Sequence, residues 1–276
     1  MNKRKVVHVI PASAPERLRR AHDCIRPIFD FLAQYNSWIA HAKPTACDFA
    51  LGNPQTMPLP PFVTAVYARE TLEKLAAILE DASRRMGRII YLVSDEAYRA
   101  IVYDARRYVS PTTPYRNSIM IYSYGKTLLT PGQRLGYLAL SPHIEERHAL
   151  RDLMASSQIL CGWAMSSALM QHALGRLERL SLNVDELQAR RDRFVAGLRE
   201  IGYAVHVPEG AFYVTPKTPI DDDARFAAEL AREGVFCLPG HVVHMPGHLR
   251  APVTATAEMI EQRLPKFSDV YRRLDG

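Results

Sequence analysis

The stretch Ser123-Tyr124-Gly125-Lys126-Thr127-Leu128-Leu129-Thr130-Pro131-Gly132-Gln133-Arg134-Leu135-Gly136-Tyr137 decides how this chain is read. One lysine follows the apolar run Ile119 to Tyr122 and has small or hydroxylated neighbours, and an arginine stands eight positions beyond it. A lysine buried at the end of a strand loses its solvation, which makes its neutral, nucleophilic form accessible. Schiff-base chemistry needs that form. An isolated lysine in a Gly/Pro loop is more often a surface residue, so the weight falls on what accompanies it.

Around this stretch three mostly apolar runs recur: Arg88 to Ser94 leading into Asp95, Asn117 to Ser123 leading to Lys126, and Leu135 to Leu140. Alternating with helical segments, they predict buried, largely parallel strands of an α/β sheet. Asp95 and Lys126 then both fall at carboxyl ends of strands, where open α/β sheets place ligands.

Helical periodicity covers much of the rest. Residues 13–50 begin with Ser13-Ala14-Pro15-Glu16, and Leu18, Ala21, Ile25, Ile28, Phe29 and Leu32 follow at helical spacing, with Pro27 bending or dividing the helix. A Pro-rich loop runs from Leu51-Gly52-Asn53-Pro54 to Leu59-Pro60-Pro61-Phe62. Thr71 to Ala82 is amphipathic, and Ile144 to Leu180 is helical in pattern. Asn183 begins a helix stopped by Gly202, Asp221 to Glu233 is a helix ended by Gly234, and Thr256 to Leu274 is a last helix that Pro265 should interrupt. Tyr203 to Pro208 and Ala211 to Pro216 read as strands, and Val235 to Gly240 leads into a histidine-bearing loop.

With 276 residues, 47% hydrophobic and 23% charged, the composition is that of a soluble globular chain with ample material for a core. No run approaches the ~18 apolar residues of a membrane helix, and Val6 to Ile10 is too short and broken for a secretory core. The four cysteines share no CxxC spacing and suit reduced thiols in a cytoplasmic protein. A net charge of +6 does not indicate nucleic acid, because clusters such as Arg17, Arg19 and Arg20, or Arg190, Arg191 and Arg193, read as solvated helix faces. His241, His244 and His248 have spacings that occur in metal sites. Pro246 and Gly247 break any helix there and no acid pair completes a shell, so no metal is expected.

The central stretch resembles the cofactor-lysine signature of the class I/II aminotransferases, the fold-type I enzymes that use pyridoxal 5′-phosphate: a Ser, two residues, Lys, then Arg eight beyond, followed by apolar-Gly-Tyr. Thr130 departs from the apolar residue usual at its position. Tyr91-Leu92-Val93-Ser94-Asp95-Glu96-Ala97-Tyr98 is similar to the strand-end Asp-Glu-x-Tyr of that family, and Glu209-Gly210-Ala211-Phe212-Tyr213-Val214 to its Gly-Ala-Phe-Tyr strand. Leu249-Arg250, with Thr254 and Glu258 behind it, is similar to the C-terminal arginine region. These matches come in family order, which makes chance a poor explanation.

The resemblance implies a three-layer αβα large domain, here truncated, and a small α+β C-terminal domain. It divides the chain into residues 1–60 (an arm and part of the small domain), 61–182 (remnant of the large cofactor-binding domain) and 183–276 (small domain). It implies that Lys126 forms the Schiff base and moves the proton, Asp95 pairs with the pyridine nitrogen, and Tyr98 bonds the ring hydroxyl. Ser123 and Arg134 would hold the phosphate, Arg250 the substrate carboxylate, and Gly52 would lie near the substrate, with the histidine loop as cover. Plainer readings stand beside these: Asp95 as a turn or capping acid, Tyr98 as core packing, Glu96 as structural, Arg134 as a solvent-exposed loop residue, and Arg250 as a surface ion pair.

The implied activity is transfer of an amino group between an α-amino acid and a 2-oxo acid, in a cytoplasmic enzyme whose relatives are homodimers. The family's Asn-Pro-x-x-Pro-Thr-Gly loop and a stretch the size of a small domain before it are absent, including the phosphate-cradling turn, the ring-stacking aromatic and the Asn facing the ring hydroxyl. The join falls between Phe62 and Tyr67, as from an internal deletion or a defective gene product. A catalytically dead fragment or interaction protein, and a lyase or decarboxylase on the same fold, are therefore the alternatives.

Overall fold

The computed structural model describes residues 68–162 and 166–275, the backbone of Cys47–Phe49, and the single positions Glu16, Asp30, Phe31 and Gln34. Gly52, the Pro-rich loop, the Phe62 to Tyr67 join and most of the N-terminal helix expected within 13–50 lie outside the described residues.

Two sheets organise what is described. The first orders β2 (Leu92–Asp95), β3 (Ser118–Ser123) and β4 (Gly136–Leu140), with helix α1 (Arg69–Met86) before it. Gly87 ends α1 in the left-handed conformation at φ 61°, which a residue without Cβ adopts at no steric cost. The Ser83 hydroxyl then accepts from the Ile90 backbone N–H at 3.1 Å, tying the helix end to the approach of β2.

The expectation of largely parallel, buried strands needs correction. β2 and β3 are parallel, but β4 runs antiparallel to β3, from Ile119↔Leu140 to Ser123↔Gly136. The connection between β3 and β4 is a short turn through Lys126, whereas a parallel neighbour would require a long crossover. Nor is the sheet buried: Val93, Tyr137 and Leu138 are exposed, because the described layers leave part of this sheet uncovered. Gly136 is required where β4 begins, since a Cβ there would come within 2.4 Å of the Tyr122 carbonyl oxygen.

After β4 come α3 (Arg147–Leu160), α4 (Ala168–Leu177) and α5 (Val184–Ile201), which opens on Asn183 as the sequence predicts: its side chain accepts from the Glu186 N–H at 3.1 Å. The second sheet contains β1 (Cys47–Phe49), β5 (Tyr213–Val214), β6 (Val235–Pro239) and β7 (Leu249–Pro252), in the order β1-β6-β7-β5. β1 is parallel to β6, and the other pairs are antiparallel. Of the strands expected at Tyr203 to Pro208 and Ala211 to Pro216, only the two-residue β5 and an isolated Val205↔Pro216 bridge form. Ala211, held at φ 57°, turns the chain out of strand geometry just before β5.

Helices α6 (Asp223–Arg232) and α7 (Ala257–Leu274) complete the second unit. Pro265 does not interrupt α7. Leu264 and Phe267 on either side of it are buried, and that packing outweighs the lost hydrogen bond. The core joins Phe194 and Leu198 of α5, Phe226 and Leu230 of α6, Val235 of β6, Leu249 of β7, and Phe267 and Val270 of α7. Gly197 lets α5 approach α7, since a Cβ there would meet Leu264 at 2.5 Å.

Two further members of this core, Ile101 and Tyr103, come from the segment that follows β2. That segment is fastened on three sides. The Tyr103 N–H donates to the Glu209 carbonyl and the Ala211 N–H to the Ile101 carbonyl, both at 2.9 Å. Arg191 of α5 donates to both Asp104 oxygens at 2.9 and 2.7 Å and to the Pro208 carbonyl at 2.8 Å, while its guanidinium lies 4.6 Å from the Tyr103 ring centroid. Arg191 is 2% exposed, so the expectation of a solvated basic face fails at this residue. The fork geometry of a guanidinium suits two carboxylate oxygens and a carbonyl together, which repays its burial.

Removing Asp104 leaves that guanidinium buried with one carboxylate fewer. Asp104→Ala should lower stability by about 2 kcal/mol, read from the urea midpoint. Arg191 holds the Asp104 carboxyl below its ordinary value of 3.8. The bond's contribution is therefore complete above that pH and lost as pH falls through the lower folded value, so the wild-type and mutant midpoints should converge in that acid range.

Candidate active site

Strand β3 ends at Ser123, and one turn of helix α2 (Tyr124–Thr127) carries Lys126 back over the end of the sheet. The Tyr124 N–H donates to the Leu135 carbonyl at 3.0 Å, closing the loop that brings the chain into β4. Leu129 and Arg134 in this loop have left-handed backbones, at φ 51° and 52°, a conformation that costs a residue with Cβ about 1 kcal/mol. From behind, Tyr124 donates to Glu178 at 2.8 Å and the Leu182 N–H to the Thr127 carbonyl at 3.2 Å.

Lys126 is 1% exposed, and its Nζ has no hydrogen-bond partner among the described residues. The rings of Tyr98 and Phe212 lie 5.2 and 5.9 Å from it. Burial lowers its pKa to about 8, the Arg250 charge adds to that, and the Asp95 carboxylate acts in the opposite direction. An appreciable fraction of Lys126 is thus a neutral amine near neutrality, which an exposed lysine is not.

Arg250, on β7, is 3% exposed, and its Nε and both terminal nitrogens are unpaired among the described residues. Its guanidinium lies 4.5 Å from the ring centroid of Tyr213. The Tyr213 hydroxyl in turn meets the Tyr98 hydroxyl at 3.1 Å. Burial raises the pKa of both tyrosines, so both are neutral hydroxyls that can donate. Lys126, Tyr98, Tyr213 and Arg250 are therefore linked by successive contacts, two buried cations with two phenols between them.

The other sequence-derived candidates are placed less tightly. Asp95 is exposed at the end of β2, and one of its oxygens accepts from the Ala97 N–H at 3.2 Å, so it also makes the turn expected of a capping acid. Arg134 is exposed and donates to the Pro131 carbonyl at 3.1 Å. Ser123 is half-buried at the end of β3. Glu96 is buried and accepts from the Ser110 hydroxyl, a structural role. Among the described residues no group of three His, Cys, Asp or Glu side chains is arranged to hold a metal ion. His241 instead contacts Asp223 through Nδ1, and Asp223 also accepts from the His241 and Gly247 N–H groups at 3.0 and 2.8 Å, anchoring the histidine loop.

Sequence reasoning gave no role to Tyr213, Phe212 or Asp223. Tyr213 lies 115 positions from Tyr98, and no local pattern announces that their hydroxyls meet.

Pyridoxal phosphate, which the sequence resemblance implies, can be tested against these residues. The buried amine of Lys126 and the buried guanidinium of Arg250 have no hydrogen-bond partner among the described residues, and they fit the aldehyde end and a substrate carboxylate beside it. Asp95, Tyr98, Ser123 and Arg134 supply an acid, a phenol, a hydroxyl and a guanidinium on the adjoining strand ends and loop. The donor set fits the group.

Comparisons with known proteins agree in kind. Residues 65–267 match the family described as aminotransferase class I and II. The chain is 31% identical over 215 residues to a probable aspartate aminotransferase of Methanocaldococcus jannaschii, covering 75% of this chain and 55% of that protein. It is 29% identical over 215 residues to the aspartate/prephenate aminotransferase of Thermus thermophilus, covering 76% and 54%. Among solved structures, an amino transferase of Eubacterium rectale superposes with a TM-score of 0.71 at 29% identity, over 82% of this chain and 55% of that one. The chain spans about half the length of the curated relatives it matches.

Two buried cations without a hydrogen-bond partner among the described residues are a cost that the fold carries. Lys126→Met should therefore stabilise the protein at pH 7, by up to about 3 kcal/mol if the whole displacement from 10.5 to about 8 is recovered. Because the folded-state pKa is depressed, the wild-type penalty is full below pH 8 and disappears as pH rises towards 10.5. The difference in urea midpoint between mutant and wild type should shrink over that range.

Proposed function

The chain belongs to the aminotransferase class I and II family, and from that membership we propose that it is a pyridoxal-phosphate-dependent aminotransferase acting on an α-amino acid and a 2-oxo acid. Its fold is that of the pyridoxal-phosphate-dependent transferases of fold type I. The observation that carries the proposal is the buried Lys126 amine near the buried Arg250 guanidinium, both without a hydrogen-bond partner among the described residues. The relatives are named as transaminases, which favours amino-group transfer over the lyase and decarboxylase readings.

When bound, the cofactor supplies an electron sink that stabilises negative charge developing at the substrate's Cα. Lys126 would hold it covalently, and its Nζ, neutral in appreciable fraction, would accept and return the Cα proton. Asp95 would face the pyridine nitrogen, and Tyr98 would donate its hydroxyl to the ring oxygen. Ser123 and Arg134 would bind the phosphate through a hydroxyl and a guanidinium. Arg250 would clamp the α-carboxylate in a bidentate contact, with Tyr213 supporting it from beneath. The rings of Tyr98 and Phe212 beside Lys126 would keep water from the amine.

We read residues 61–182 as the cofactor-binding part and 183–276 as the small domain, with 1–60 contributing the strand that joins the second sheet. A homodimer in the cytoplasm is the assembly and setting we infer. No helix among the described residues is long and apolar enough to cross a membrane.

Titration with pyridoxal phosphate should produce a visible absorption band, and borohydride should then fix the cofactor to the peptide containing Lys126. Loading should rise with pH to half its maximum near about 8, the value at which half of Lys126 is neutral. Lys126→Ala should lose the band and amino transfer between glutamate and a 2-oxo acid, and Arg250→Met should raise the KM for both by about tenfold or more. A wild-type chain as colourless as the mutant would identify it as a catalytically dead relative.

A further inference from the structure

Strand β4, Gly136-Tyr137-Leu138-Ala139-Leu140, ends the first sheet, and among the described residues it has a strand neighbour on one side only. Gly136, Tyr137 and Leu138 are exposed. The outer edge of such a strand offers backbone N–H and C=O groups to another chain. Charges and prolines ordinarily block that pairing, and β4 contains neither. Strand β2, at the other edge, ends on Asp95, so pairing it with itself would set Leu92 against a carboxylate.

Pairing β4 antiparallel with a second β4, centred on Leu138, matches small residues with large ones. Leu138 faces Leu138 of the partner subunit, Tyr137 faces the partner's Ala139, and Gly136 faces the partner's Leu140. On its own side Tyr137 rests against Tyr122 and Tyr124, with ring centroids 5.2 and 6.0 Å away, and an alanine opposite leaves room for that ring. The strand registers put Val93, Ile121 and Leu138 on one face of the sheet. Directly opposed residues point to the same face, so this apolar face runs on unbroken into the second copy. The ends of the strand differ in charge: exposed Arg134 precedes β4, and exposed Glu145 and Glu146 follow it, ahead of Arg147. Antiparallel pairing lays the basic end of one copy along the acidic end of the other, which favours a second copy as the occupant of this edge.

We propose that β4 is a homotypic interface, along which two copies of this chain pair antiparallel about a two-fold axis perpendicular to the sheet. The result is one sheet of six strands, three from each copy. This assigns a surface to the homodimer and holds whether or not the chain transfers amino groups.

The test uses the full chain and three readouts. Sedimentation of the wild type should show a dimer. Leu138→Lys, at an exposed position, sets two ammonium groups opposite each other and should weaken that dimer by about a hundredfold or more, with the far-UV circular dichroism unchanged. Leu138→Glu should do the same alone, and mixing the two variants should restore a dimer, which a misfolded variant could not do. Mild oxidation reads the register. Leu138→Cys should link to itself beyond the wild-type background of four native cysteines. Tyr137→Cys and Ala139→Cys should link to each other when mixed, faster than either links to itself. A monomeric wild type, a dimer indifferent to Leu138→Lys, or cysteine links that ignore this register would overturn the proposal. None of these readouts uses pyridoxal phosphate, so a colourless wild type that dimerises through β4 would sink the aminotransferase reading alone.

Discussion

Arg191 is the fastening on which the geometry of this chain depends. Its guanidinium holds Asp104, the Pro208 carbonyl and the Tyr103 ring at once, so the segment leaving the first sheet is driven into the core of the second unit. An ion pair on the surface would contribute little. This one is bidentate and buried on the arginine side, and breaking it would leave the desolvated guanidinium with Asp192 as its remaining carboxylate. Because Tyr98 lies five residues before Tyr103, and Tyr213 two after Ala211, fastening 101–104 against 208–211 is what brings the two hydroxyls together.

The site thus draws its residues from both units, and its energetics are those of desolvation rather than of satisfied contacts. Lys126 and Arg250 lack partners among the described residues, and each is shifted towards its neutral form chiefly by burial. A fold optimised only for stability would place apolar side chains at both positions. Their presence, with left-handed Leu129 and Arg134 in the same loop, locates strain where binding can repay it.

Apolar burial is unevenly distributed between the two units. Every exposed large hydrophobic side chain among the described residues lies between Ile78 and Leu180, including Val93 and Leu138 on the first sheet and Leu153, Leu160 and Leu169 on the helices after it. The second unit, by contrast, encloses a continuous core from Phe194 to Val270. The chain spans about half the length of its curated relatives, and the uncovered apolar surface falls on the side of the chain that carries Lys126.

Local chemistry made much of this legible. A lysine among small residues after an apolar run, an acid ending another strand, Asn183 as a helix cap and Gly87-type stops all act over a few positions, so sequence alone determined most of the described helices, the α/β class and the identities of Asp95, Lys126 and Arg250 as candidates. Their family order carried the rest of that reading. Long-range packing decided what remained. The antiparallel turn of β4 depends on loop closure through Lys126, the continuity of α7 past Pro265 on the side chains flanking it, and the burial of Arg191 on a partner 87 residues away. The lowered pKa of Lys126 belongs with these, because desolvation is a property of the surrounding volume, and only the folded chain brings Tyr98, Phe212 and Arg250 around that amine.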